Sequence, residues 1–148
     1  MLDILLVEDN QDDVFLMQLA SKECNVNWNF TIVNNGSSAV ELLDDLTSKG
    51  KKMPDLILLD VNLPKVNGLE VLKNIKANTH TNQIPTVVFT SSDLMSDMKY
   101  CYEHGADLYV RKPNNISDFK KVIEYVMKSC FNCHSRASGN PEVTACFN

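Results

Sequence analysis

The sequence predicts an α/β domain built as a doubly wound parallel sheet with helices on both faces, and three observations carry that expectation. Short apolar runs alternate with helical patterns from the first residues to about residue 129. The runs are continuous rather than alternating, which suits strands covered on both faces. Each intervening stretch is long enough for the crossover that joins two parallel strands.

Taken in order, Ile4-Leu5-Leu6-Val7 reads as the first strand and 12–23 as the first helix. Phe30-Thr31-Ile32-Val33 is the second strand. In the next helix Ala39, Val40, Leu42, Leu43 and Leu46 share one face, and Ser38 and Glu41 have the spacing of a capping box. Leu56-Ile57-Leu58-Leu59 forms the third strand, 68–77 the third helix and Thr86-Val87-Val88-Phe89 the fourth strand. The fourth helix, 95–104, is expected to stop at Gly105, and Leu108-Tyr109-Val110 supplies the fifth strand. Ile116, Phe119, Val122, Ile123, Val126 and Met127 give the last helix its apolar face.

A chain of 148 residues fits one domain, and a domain of that size buries roughly 68–70% of the surface of its unfolded chain. The composition, 44% hydrophobic and 22% charged, excludes a largely disordered protein. A net charge of −5 without a basic stripe opposes binding to nucleic acid. No apolar run is long enough to span a bilayer and the start carries no basic, export-type segment, so a cytoplasmic protein without membrane contact is expected.

Past residue 129 the pattern breaks. The domain is therefore assigned to 1–129, with 130–148 as a disordered tail without function and Cys130 ending the last helix on its apolar face. Cys130, Cys133, His134 and Cys146 can be written as zinc ligands, and Cys130-Phe131-Asn132-Cys133-His134 spells a haem attachment motif. Haem attachment of that kind needs export, and neither group is expected here. Cys24 and Cys101 fall in helices, where a thiol is usually a small buried hydrophobe, so no disulfide framework is read.

Ligands of doubly wound sheets sit beyond the carboxyl ends of the strands. There the sequence places Glu8 and Asp9, then Asp60-Val61-Asn62, then Thr90-Ser91-Ser92, then Arg111-Lys112-Pro113. An acidic residue after a strand is by itself usually a helix cap or a solvated turn, and a lone threonine or Lys-Pro pair is no signal. Three carboxylates, a hydroxyl and an ammonium converging on one sheet edge are another matter. Two carboxylates ~4 Å apart repel by ~4 kcal/mol at an effective dielectric near ~20, so the group calls for a bound cation or shifted pKa values. All-oxygen ligands of this kind suit Mg²⁺.

These segments resemble the receiver domains of two-component response regulators. The match lies in Glu8-Asp9 after the first strand, Asp60 with Pro64 and Gly68 in DVNLPKVNG, Thr90 after PTVVF, and Tyr109 three residues before Lys112-Pro113. VEDNQDD and NLPKVNG look most like the stand-alone regulators paired with phytochrome-type kinases. The resemblance implies a flavodoxin-like fold of five parallel strands in the order 2-1-3-4-5 with five helices. It implies Asp60 as phosphoacceptor, and Mg²⁺, which Mn²⁺ can replace, on Asp9, Asp60 and the carbonyl of Asn62, with Glu8 acting through water. Glu8 stands where aspartate is commoner.

The resemblance further implies that Lys112 neutralises the transferred phosphoryl group and that Thr90 and Tyr109 form the switch. Thr90 would turn to the phosphoryl oxygen and Tyr109 would swing inward. Partners would be a sensor histidine kinase or phosphotransfer protein, a downstream protein and possible self-pairing into a homodimer through the fourth helix, fifth strand and fifth helix, about residues 94–128. The protein would then be a switch rather than an enzyme, catalysing only its own phosphotransfer and dephosphorylation. Asn114 replaces the aromatic residue that often follows Lys-Pro, which is expected to loosen the start of the last helix.

Three other readings fit less well. Haloacid dehalogenase-like phosphatases place a DxD pair after the first strand, whereas here Asp60 follows the third and Asn62 holds the second position. A receiver that has lost phosphorylation would lack the acceptor, lysine or hydroxyl, and all three are present. A flavin carrier needs a phosphate-cradling loop after the first strand, where Glu8 and Asp9 would repel the phosphate.

Overall fold

The computed structural model describes residues 1–63, 67–91 and 95–132. The strands are β1 (Leu2–Val7), β2 (Trp28–Val33), β3 (Leu56–Leu59), β4 (Thr86–Thr90) and β5 (Leu108–Arg111). The helices are α1 (Gln11–Glu23), α2 (Gly36–Ser48), α3 (Gly68–Ala77), α4 (Met95–Glu103) and α5 (Ile116–Met127), followed by a π-helical turn at Lys128–Asn132. All strands are parallel in the order β2-β1-β3-β4-β5, with Ile4 opposite Phe30 and Leu56, and Val88 opposite Tyr109. β1 and β2 begin two residues earlier than the apolar runs alone indicate, because Leu2 and Asp3 pair with Trp28 and Asn29.

Alternation along the strands splits the core between the two faces. Ile4, Leu6, Leu56, Leu58, Phe89 and Val110 meet Phe119, Val122 and Ile123 of α5 and Met17 of α1. Leu5, Val7, Ile57, Leu59, Val88 and Tyr109 meet Leu43 of α2, Val71 and Leu72 of α3 and Cys101 of α4. Every residue of β3 is buried, and each large aliphatic side chain so enclosed contributes about 1.5–3 kcal/mol. This central strand therefore carries Asp60 at its end on a rigid support. Among the described residues Cys24, Cys101 and Cys130 form no disulfide, and no described helix is long and apolar enough to cross a membrane.

Four helices begin on an asparagine. Asn10, Asn35, Asn67 and Asn115 each accept from backbone N–H groups of the first turn. The capping box expected from Ser38 and Glu41 is corrected here. α2 starts three residues sooner, Asn35 is its cap, and the Ser38 N–H is the donor satisfied by the Asn35 side chain at 2.8 Å. The looser start of the last helix is also not seen, because Asn115 accepts the Asp118 N–H at 3.0 Å and donates to the Asp118 carboxylate at 3.1 Å. At the other end of α4, Gly105 has φ +95°, a conformation that costs glycine least, and the Ala106 N–H returns to the Cys101 carbonyl.

Helical structure continues past 129, since Lys128–Asn132 form the π-helical turn. Cys130 is buried against the face shared by α1 and α5, with Phe131 packed beside it. Pro64, Ser92, Cys133, His134 and Cys146 lie outside the described residues. A chain ended after Lys128 should therefore be less stable than one ended after Asn132 by about 1–3 kcal/mol, the worth of one or two partly buried side chains. Urea denaturation of the two proteins checks this.

Candidate functional site

The sheet delivers four side chains to one place. The Glu8 N–H still bonds the Val33 carbonyl, and the Asp60 N–H bonds the Val7 carbonyl, so the residues following β1 and β3 stand side by side. Two strands away, the Lys112 N–H bonds the carbonyl of Thr90, the last residue of β4. The Lys112 stem reaches back across β4, and its Nζ lies 2.9 Å from Asp60 Oδ2, 2.9 Å from Asp13 Oδ2 and 2.5 Å from Glu8 Oε1. The other Asp60 oxygen accepts the Asn62 N–H at 2.9 Å. Asp60 is thus held at both oxygens and is only 4% exposed. The Asn62 side chain donates in turn to Thr90 Oγ1 at 3.3 Å, and Thr90 is fully buried.

Gly68 shapes the floor of this site. A Cβ there would collide with the Val61 Cα and the Asp60 carbonyl oxygen. The first turn of α3 therefore rests directly on the backbone that carries the central carboxylate. This close approach, rather than a positive φ, explains glycine at that position.

Charge is the second determinant. Glu8, Asp9 and Asp60 can each offer an oxygen within 4.8 Å of the others, and Asp13 adds a fourth carboxylate against the Lys112 ammonium. Fully ionised, they leave the site strongly negative. The consequence is visible at Glu8. Burial pushes its carboxyl from 4.5 up to about 7, the Lys112 ammonium pulling it down and the Asp60 charge adding to the rise. Burial alone would lower the Lys112 pKa, but contacts with Asp13 and Glu8 and the charge of Asp60 outweigh it and raise it. Glu8 Oε1 is enclosed, and its short contact with Lys112 is not aligned as a hydrogen bond. An under-satisfied buried carboxylate oxygen in an all-oxygen cluster fits a hard divalent cation.

The residues singled out from sequence divide clearly. Glu8, Asp9, Asp60, Asn62, Thr90 and Lys112 lie together, Asp9 at the exposed rim. Tyr109 does not reach the carboxylates. It is 3% exposed, inside the core beneath α4, and so already occupies the inward position expected only after switching. Two partners escaped the sequence reading. Asp13, in the first turn of α1, shares the lysine; an acid there reads as complementing the helix dipole, and the Asn10 cap accepts its N–H. Tyr102 of α4 accepts the Tyr109 N–H at 3.1 Å, and nothing in the spacing of α4 announces that contact.

The raised Glu8 pKa has a defined sign in stability. The folded state holds this proton more tightly than the unfolded chain, so the contribution is complete below about pH 4.5 and is lost as pH climbs through about 7. With chelator present, unfolding free energy should fall across that window by up to about 3 kcal/mol. In Glu8→Gln this component of the fall should vanish, which urea titrations at stepped pH will show.

Residues 4–124 match the family described as the response regulator receiver domain. Over 122 residues the chain is 37% identical to the response regulator Rcp1 of Synechocystis sp., covering 82% of this chain and 83% of that protein. The solved Mn(2+)-bound form of Rcp1 superposes with a TM-score of 0.77 at 34% identity, over 91% of this chain and 96% of the other. The phosphorylated cyanobacterial phytochrome response regulator RcpA gives 0.79 at 33%, over 87% and 93%. Sequence match and strand order agree across the whole sheet, so the chain belongs to the response regulator receiver domain family, with phytochrome-associated regulators among its relatives.

Proposed function

We propose that the chain is a stand-alone phosphoryl switch whose acceptor is Asp60, charged by a sensor histidine kinase or a phosphotransfer protein. The observation that carries this is the Asp60 carboxylate itself. It is buried at the end of the central strand, one oxygen fixed by the Asn62 N–H and the other against Lys112. In the transfer an Asp60 oxygen attacks the phosphorus of a phosphohistidine. The new P–O bond forms as the P–N bond breaks, and the departing imidazole nitrogen keeps the electron pair and takes a proton from solvent. Lys112 follows the charge onto the transferred oxygens.

Asp9, Asp60 and the Asn62 carbonyl would hold Mg²⁺, with Glu8 through water, and the ion would supply positive charge facing the phosphoryl oxygens. Solved relatives described as Mn(2+)-bound and as phosphorylated support both halves of this reading. Mn²⁺ is expected to substitute. The protein works in the cytoplasm and acts on no other substrate, catalysing only its own phosphotransfer and dephosphorylation.

The output runs through Thr90. Its hydroxyl, now paired with the Asn62 side chain, turns to a phosphoryl oxygen and loosens that link. Tyr109 is already inward, so the change passes to α4 through the Tyr102 hydroxyl on the Tyr109 N–H. The α4–β5–α5 face is then presented to a downstream protein, and in the phosphorylated form to a second copy.

Asp60→Asn keeps the shape and removes the nucleophile, so label from a phosphorylated kinase or from acetyl phosphate should fall to background. Retention of label by that variant would falsify the assignment. A divalent ion binding only the folded state adds ~2.7 kcal/mol at a hundredfold excess over Kd. Thermal melts with Mg²⁺ should show that gain in the wild type, and Asp9→Ala should lose most of it.

A further inference from the structure

Among the described residues β2 is an edge of the sheet and pairs only with β1. The Leu2 N–H bonds the Asn27 carbonyl and the Glu8 N–H bonds the Val33 carbonyl, so the odd-numbered residues of β2 face β1. The N–H and C=O groups of Trp28, Phe30 and Ile32 therefore point to the open side. Proteins usually blunt such edges with charge, proline or a bulge. Trp28–Val33, WNFTIV, has no charge and no proline, and its register with β1 is unbroken.

The side chains of the same three residues lie on the α1 face. Trp28 and Phe30 meet edge to face at 5.9 Å, and Ile32 is 39% exposed. Beside them a groove is lined by Phe15, Leu19, Trp28 and Phe30, and Phe15 is 62% exposed. The Trp28 Nε1 is enclosed and has no acceptor among the described residues.

We propose that this edge joins two copies of the unphosphorylated chain, β2 pairing antiparallel with β2 of a second copy about a two-fold axis. Among the described residues of β2, those at 28, 30 and 32 turn their backbone groups away from β1, so a symmetric register sets Phe30 opposite its own counterpart and Trp28 opposite Ile32 of the other copy. Both α1 helices then lie on one side of a continuous sheet and run antiparallel. Charge selects this occupant and orientation. Lys22 borders the Trp28 end of the strand, while Asp9 borders the Ile32 end, with Asp12 in the adjoining first turn of α1. Antiparallel pairing brings the basic end of each copy to the acidic end of the other. A two-fold contact also closes both edges at once, which an open β-addition would not. This inference does not rest on Asp60 as acceptor.

Sedimentation equilibrium of the full, unphosphorylated chain should show a monomer–dimer equilibrium. Ile32→Lys, at an exposed position, should weaken it by at least about tenfold, the change expected when charges are placed beside the two-fold axis. The register has its own test. Asn29→Cys and Thr31→Cys proteins mixed under oxidation should cross-link to each other in excess of either alone, because 29 and 31 face one another in this pairing and not themselves. A chain monomeric at every concentration overturns the proposal. So does a dimer that Ile32→Lys leaves unchanged, which would belong to another face, or cross-linking no greater in the mixture than in the separate proteins.

Discussion

The Lys112 ammonium lies against the carboxylates of Glu8, Asp13 and Asp60, and the rest of the site is arranged around that shared charge. One lysine cannot neutralise the cluster, and burial makes the shortfall costly. The excess shows as a proton held on Glu8 up to about pH 7. A cluster in this condition gains from any further positive charge, a divalent ion among them. The same arrangement encloses Asp60 and fixes both of its oxygens, one against the Asn62 N–H and the other against the lysine.

Backbone precision makes the arrangement possible. β1 and β3 are neighbours through the order of the sheet, not through sequence proximity, and backbone hydrogen bonds bring Glu8 and Asp60 to the same level. Gly68 lets α3 press on the Asp60–Val61 backbone. Asn10 fixes the first turn of α1, so Asp13 meets the lysine. The Asn62 side chain joins the segment after β3 to Thr90, and Tyr102 joins α4 to β5. Each link is a single hydrogen bond, worth about 0.5–1.5 kcal/mol, and such bonds can be exchanged when the charge at the site changes.

The two edges of the sheet are treated differently. On β5 the Tyr102 hydroxyl covers the Tyr109 N–H, whereas β2 keeps the backbone groups of Trp28, Phe30 and Ile32 turned outward. Parallel sheets bury their faces with helices but leave edges to be covered locally. One edge is thereby tied to α4, and the other leaves its backbone groups turned outward.

Much of this was legible in the residues. Continuous apolar runs such as Leu56–Leu59 announce a doubly covered sheet, and in such a sheet the residues after each strand must share one edge. That is why Glu8, Asp9, Asp60, Thr90 and Lys112 group together on sequence alone, and the family resemblance supplies the strand order. Asp13 could not be grouped with them, because an acid in a first helical turn already has a local explanation. Ser38 looked like a cap because spacing cannot tell a cap from a first-turn donor three residues further on, and Asn35 took the role. The inward Tyr109, its bond to Tyr102 and the open edge of β2 depend on which helix packs over which strand. Local periodicity fixes what each segment is and which of its faces is apolar, but contacts between segments distant in sequence are decided only when the whole sheet and its helices pack.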